Sequence, residues 1–405
     1  MVLFPTLYQS SGWIPVSVLL TILTIYTLLC SIMIFECMSS IPGNHQFQRR
    51  IEYTTLCRYY FKPFNYQLVQ LFYQCSLLAV NITTIIQSIT VCDYVLIALF
   101  DSTCGAELYP SPSLYCTNGY TAEPLPSYTN PTPFNPAAIV ISTGFCLCAV
   151  LCVPLGLYNL DDNIHVQQLS CIGVVVICII WCILFDQVGF DVSRVPVIGS
   201  SYTDILGVCI FNYAIITSLP SWVNEKRPDV SIGYTLLLST LFATASFIAV
   251  GVCGALAFDH THDTIHINDN ILTHIYNMHN TLATITYYAW PVVVNFTSIP
   301  IFAIMMRYNL IENNVCRSST ATFIAVFMPW IISIILYTGG GFTNIVTFSG
   351  LLVSSMVNFI IPPVLYIHYC KNHIHGTEIG VSQDIIHIIK KEKRNRGSLA
   401  VVFRF

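Results

Sequence analysis

The stretch SYTDILGVCIFNYAIITSLPSWVNEKRPDVS, residues Ser201–Ser231, decides how the rest of the chain is read. Its apolar run from Ile205 to Leu219 is interrupted at Phe211-Asn212-Tyr213, closes at Pro220 and drops into Asn224-Glu225-Lys226-Arg227-Pro228. This pattern predicts a membrane helix that is locally broken and ends in a charged turn. Isolated polar groups are costly in lipid, so a broken helix is tolerated only where protein surrounds it or where it lines a cavity. In secondary transporters such breaks lie near the midplane and form the substrate site. The alternative is that Asn212 only bonds a neighbouring helix.

Composition agrees with a membrane setting. Of 405 residues, 55% are hydrophobic and only 9% are charged, and the mean hydropathy is +0.67. A soluble domain of this size would lack surface charge. Apolar runs of roughly 18 or more residues recur along the chain, each long enough to cross about 30 Å of hydrocarbon. The expected class is therefore an all-α polytopic membrane protein. The chain opens directly in apolar sequence without a charged leader, so no secretory signal is expected. A net charge of −4 excludes a strongly basic nucleic-acid binder.

Outward from the break, the spans are expected at about 14–37, 66–99, 136–157, 164–184, 232–258, 281–306, 321–337 and 342–369, with a short apolar stub before Gly12-Trp13. The segment 101–135 is expected as a loop rich in Pro, Ser and Tyr, without one Lys or Arg. Residues 1–370 form one transmembrane unit, and 371–405 a polar, basic tail. Lys and Arg gather on the cytoplasmic side of short loops. Alternating the loops places Arg49, Arg50, Lys226, Arg227, Arg307, Arg317, Lys371 and the tail cations together on that side. Arg194 alone falls opposite. The tail is then cytosolic, and 101–135 and 259–280 face the outside or an organelle lumen.

Most of the 17 cysteines lie in spans, where they act as small apolar residues. Cys104 and Cys116 share the long exoplasmic loop, as a disulfide in an oxidising compartment or as two free thiols. Asn81-Ile82-Thr83 and Asn295-Phe296-Thr297 fit the glycosylation pattern but sit in spans.

Several segments resemble the amino acid/auxin permease family. They are PSWVNEKRP at Pro220–Pro228, RYNLIEN at Arg307–Asn313 and NFIIPPVLY at Asn358–Tyr366. VLFPTLYQSSGW at Val2–Trp13 resembles the end of the family's first helix. IPGN at Ile41–Asn44, RRIEYTTL at Arg49–Leu56 and PLGLYNLDDNI at Pro154–Ile164 resemble its fungal vacuolar members. The resemblance covers roughly residues 1–370 and implies a five-plus-five inverted-repeat transporter fold of about ten spans. Helices one and six would be unwound and hold an amino acid between them, and one bundle would rock against the other. Two departures stand out. The chain starts where helix one would already have passed its glycine-rich break, so that helix is expected truncated. No eleventh apolar span follows Lys371.

The residues expected at the substrate are Gly207, Phe211, Asn212 and Tyr213. Glycine permits close backbone approach, Asn212 offers donor and acceptor, and the aromatics could cover a side chain or simply pack. Ser298, beside Thr297, lines up with a hydroxyl that helps bind sodium in some animal relatives; the alternative is a bond to its own helix. Proton coupling needs a titratable group in the pathway. Glu36, Asp93 and Asp204 are the acids nearest membrane depth; of these Asp93 and Asp204 are the candidates, with an interfacial role as the alternative. The coupling ion is H⁺ or Na⁺, and no cofactor is expected.

Residues 259–280 hold His260, His262, His266, His274 and His279 among Asp259, Asp263 and Asp269. Metal binding or metal transport is one reading. The irregular spacing favours a solvated segment with a pH response. A membrane enzyme would need catalytic groups at one depth, and only His165 beside Asp161-Asp162 offers itself. More than seven spans argue against a receptor. The expected function is a proton-coupled amino-acid transporter of a vacuolar or other endomembrane. A non-transporting sensor on the same fold is the alternative.

Overall fold

The computed structural model describes residues 1–44, 47–118, 132–134, 138–202, 205–258, 271–278, 280–338 and 352–374. Helix α1 (Phe4–Ser11) turns at Gly12 into α2 (Trp13–Ser39). A short α3 (Tyr53–Tyr60) leads to the long α4 (Pro63–Phe100). Then come α5 (Thr143–Leu157), α6 (Ile164–Val188), α7 (Ile205–Asn212), α8 (Leu219–Glu225) and α9 (Ile232–Ala257). Helices α10 (Ile271–Asn277), α11 (Thr281–Glu312), α12 (Ser318–Leu336) and α13 (Leu352–Lys371) complete the helical set. Among the described residues, seven helices are long and apolar enough to cross a membrane: α2, α4, α6, α9, α11, α12 and α13. The chain is mostly helical, and this set fits a polytopic membrane protein.

Two expectations are corrected here. The chain is not all-α, and 101–135 is not only loop. Strands β1 (Ser102–Tyr109), β2 (Ser113–Asn118) and β3 (Ile139–Ser142) form an antiparallel sheet in the order β2-β1-β3. Cys104 lies directly opposite Cys116 across β1 and β2, and the two are joined as a disulfide. The span placed at 136–157 begins as strand β3, and its helix starts only at Thr143. The switch is local: Ser142 is extended, and its side chain accepts from the Phe145 N–H at 3.0 Å, capping the helix that follows.

The turn at Gly12 shows why this residue is required. Its φ of +90° favours glycine, and an added Cβ would lie 2.7 Å from the Gly199 nitrogen. The backbone of 196–200 runs against this turn: Trp13 donates to the Pro196 carbonyl at 3.0 Å and Gly199 to that of Ser11 at 2.9 Å. The chain just before α7 is thus fastened to the α1–α2 corner. Helix α1 lies against α9, where a Cβ at Gly251 would meet the Tyr8 ring at 2.7 Å.

Helices α12 and α13 each contain one widened turn, at Phe323–Phe327 and Met356–Ile360. In each, an N–H reaches five residues back, Met328 to Phe323 and Ile361 to Met356. Both turns sit just ahead of proline, Pro329 in one and Pro362-Pro363 in the other. Proline has no N–H and crowds the preceding turn, which favours such a bulge. Prolines 291 and 300 lie inside α11, which stays α-helical through both.

Arg50 contacts both Glu225 and the Tyr308 ring, and Arg307 donates to the Leu157 and Tyr158 carbonyls at the end of α5. Arg194, the exception in the charge sorting, donates to the Leu256 and Ala257 carbonyls at the end of α9, at 3.2 and 2.6 Å. A cation there matches the negative end of the helix dipole.

Candidate functional site at the helix break

The interruption expected in residues 201–231 is present. Helix α7 ends at Asn212 and α8 begins at Leu219, with tight turns between. Asn212 closes α7 by donating from Nδ2 to the Val208 carbonyl at 2.7 Å. Pro220 stands in the first turn of α8, where a missing N–H is tolerated. Leu219 and Ser218 close short turns onto the Ile216 and Ile215 carbonyls at 3.3 and 3.2 Å.

Backbone groups freed by the break are taken up by other helices. The Thr217 N–H donates to Asn358 Oδ1 of α13 at 3.1 Å. The Thr217 carbonyl accepts from the Tyr73 hydroxyl of α4 at 3.2 Å. Asn358 sits in the widened turn of α13 and is anchored by Nδ2 to the Ser354 carbonyl at 2.7 Å. Tyr73 in turn accepts from Asn309 Nδ2 at 3.0 Å. Asn309 Oδ1 accepts from the Thr54 hydroxyl at 2.8 Å, and Thr54 accepts from Asn313 Nδ2 at 2.7 Å. A continuous polar chain therefore runs from the break through α4, α11 and α3, with its donors and acceptors matched.

The two halves of the broken helix are held by different partners. On the α7 side, the Tyr213 hydroxyl lies 2.6 Å from Thr244 Oγ1 of α9 and 3.1 Å from Thr24 Oγ1 of α2. On the α8 side, Ser221 donates to Glu52 Oε2 at 2.6 Å, and Asn224 Nδ2 donates to Glu52 Oε1 at 3.1 Å. Asn224 also exchanges bonds with the Ile51 backbone, at 3.1 and 3.2 Å. Arg50 bridges Glu52 at 3.3 Å and Glu225 at 2.7 Å, with its guanidinium 3.7 Å over the Tyr308 ring. Glu52 is wholly buried. Burial pushes its carboxyl above the usual carboxylate range, and Ser221, Arg50 and Asn224 draw it part of the way back.

The expected site residues fall in several places. Gly207 is half-buried in α7, and Asn212 and Tyr213 stand at the edge of the break. Asn212 Oδ1 accepts from the Met1 amine at 3.0 Å. Phe211 is 53% exposed. Thr297 and Ser298 lie in α11, and their bonds run elsewhere. Ser298 donates to its own helix at Val294, 2.7 Å, and Thr297 Oγ1 lies 3.0 Å from Ser170 Oγ of α6. Asp93 is buried near the sheet-bearing end of α4. It accepts from Thr103 at 2.9 Å, Gly144 N–H at 2.9 Å and Tyr337 at 2.7 Å. It thereby joins α4, β1, α5 and the residue that follows α12.

Asp204 lies outside the described residues, as do His260, His262, His266, His279, the three aspartates among them and the tail from 375. His274 belongs to α10, where its ring stacks 5.0 Å from Phe258. Among the described residues, no group of three His, Cys, Asp or Glu side chains could hold a metal ion.

Sequence reasoning missed Tyr73, Asn358, Asn309 and Glu52 as parts of this site. Three of the four lay inside segments already singled out, RRIEYTTL, RYNLIEN and NFIIPPVLY. A polar residue that interrupts an apolar run is the signal they offered. No protein-family model matches the chain, and no curated protein or solved structure matches it either.

Proposed function

We propose that this chain is a secondary active transporter for amino acids, coupled to protons and working by alternating access. One observation carries the reading: the helix is broken inside the bundle, and its halves are held by different partners. Helix α7 is tied through Tyr213 to α2 and α9. Helix α8 is tied to residues 50–52, and the intervening Thr217 to α4 and α13. Such a joint can bend at 213–218 while each half stays with its own group of helices. Unwound backbone beside a helix end is also where transporters bind an amine and a carboxylate. The segments resembling the amino acid/auxin permease family add support, and a five-plus-five repeat is the fold this reading implies. On this reading the basic face is cytosolic, and the membrane is vacuolar or another endomembrane.

In the bound state, Asn212 would present Oδ1 and the last carbonyls of α7 to the substrate amine. The C-terminal end of a helix favours a cation. Phe211 and Tyr213 would flank the side chain. Asn212→Leu keeps the approximate volume and removes both polar atoms. It is expected to raise the KM for the transported amino acid about tenfold, the worth of one hydrogen bond to a charged group, with little change in thermal stability. The check is concentration-dependent uptake of a labelled amino acid into reconstituted vesicles. An unchanged KM with saturable uptake would move the substrate away from the break.

A further inference from the structure

Glu52 belongs to no span and has no role at the substrate; it holds the α8 side of the break. It is the wholly buried centre of the contacts that fasten α8 to the rest of the protein. Its carboxylate takes hydrogen bonds from two α8 side chains, Ser221 and Asn224, and from Arg50. Arg50 is shared: its second arm goes to Glu225 of α8 at 2.7 Å. Glu225 is partly exposed; Glu52 is not.

We propose that Glu52 is a proton-binding residue that governs a latch between residues 50–52 and α8. Its proton is taken up when α8 is latched and released when α8 comes free. The functional consequence rests on the transporter reading; the latch itself does not.

The direction follows from hydration. An ionised carboxylate sealed from water and sharing its one guanidinium gains by being released into water. A neutral carboxyl loses nothing by staying. Protonated Glu52 can donate to the Ser221 hydroxyl and still accept from Asn224 and Arg50, so the latch keeps its bonds. The remaining titratable groups that face Glu52 do not reverse this. The Tyr73 hydroxyl of α4 donates to the Thr217 carbonyl, and the Tyr308 hydroxyl of α11, whose ring lies beneath Arg50, donates to Asn159, so neither bonds the carboxylate. Arg50 keeps its charge, and Glu225 remains an acceptor for it. The latched state therefore binds the proton more tightly than the released state. Falling pH on this face closes the latch, and rising pH opens it. In a proton-coupled cycle, proton release to the basic side would accompany opening of that side.

The test is hydrogen exchange of the α8 amides, residues 219–225, in lipid nanodiscs at pH 5 and pH 8, corrected for the intrinsic pH dependence of exchange. The wild-type protein is expected to exchange about tenfold faster at pH 8 than at pH 5 after correction. Glu52→Gln, a near-isosteric copy of the protonated form, is expected to stay slow at both. Glu225→Gln leaves Arg50 to Glu52 alone and is expected to move the wild-type midpoint to lower pH. Corrected protection that is independent of pH in the wild type, or the wild-type pH dependence retained in Glu52→Gln, would overturn the proposal. Amino-acid uptake measured on the same preparations separates the two claims. Uptake with a pH-independent α8 removes the latch and leaves the transporter. A pH-dependent α8 without uptake removes the transporter and leaves the latch.

Discussion

Asn358→Leu is expected to abolish amino-acid uptake, by more than tenfold, and to lower stability by about 2 kcal/mol, the cost of a buried donor left without an acceptor. The substitution leaves the Thr217 N–H facing an apolar side chain within the bundle. Water cannot stand in easily, because Asn358 is fully buried. The Ser354 carbonyl also loses a donor, though it lies within a helix that can adjust. The effect on uptake should exceed the effect on stability. Thr217 sits in the joint between α7 and α8, and both of its backbone groups are needed to hold that joint open between α4 and α13. A thermal-shift assay in detergent gives the stability, and uptake into vesicles gives the activity. Ile360→Leu, an exposed change in the same widened turn, is the control and should leave both unchanged.

Asp93→Leu is expected to prevent accumulation of folded protein. Three donors converge on this carboxylate. Thr103 keeps a second partner in Thr143, at 2.8 Å, but Gly144 N–H and the Tyr337 hydroxyl would be left unpaired. Two buried orphaned donors cost roughly 2–6 kcal/mol together, which approaches the whole stability of an ordinary protein. Loss of a negative charge at the start of α5 adds to this. Asp93→Asn turns one acceptor into a donor among donors and is expected to fall between the two. These outcomes separate a structural role from a coupling role. A structural Asp93 loses monodisperse protein on size exclusion. A coupling Asp93 would keep normal yield in the Asn variant and lose only the gradient dependence of uptake.

The long spans were legible because 3.6-residue helices crossing hydrocarbon leave uninterrupted apolar runs. The break was legible for the opposite reason: Phe211-Asn212-Tyr213 interrupts such a run and Pro220 closes it. The sheet was not. Ser102–Tyr109 has no clean alternation, and its pairing is settled by partners in two other segments, one of them within a run read as helix. The substrate-site expectations named residues within the break and overlooked those that hold it. Tyr73, Glu52 and Asn358 lie more than 140 positions from their partners in the break and α8. Nothing in local pattern tells which polar residue of one span meets which turn of another. Asp93 shows the same limit. Its charge at membrane depth was visible, but the converging donors from β1, α5 and the residue that follows α12 were not.

The most direct test of the account is flux. The protein is reconstituted into sealed vesicles and offered a panel of labelled amino acids, with and without a pH gradient. The account predicts saturable uptake of at least one amino acid, accelerated by the gradient and abolished when a proton ionophore collapses it. Folded protein in the membrane that moves no amino acid above the level of empty vesicles, under either condition, would contradict it and favour a sensor.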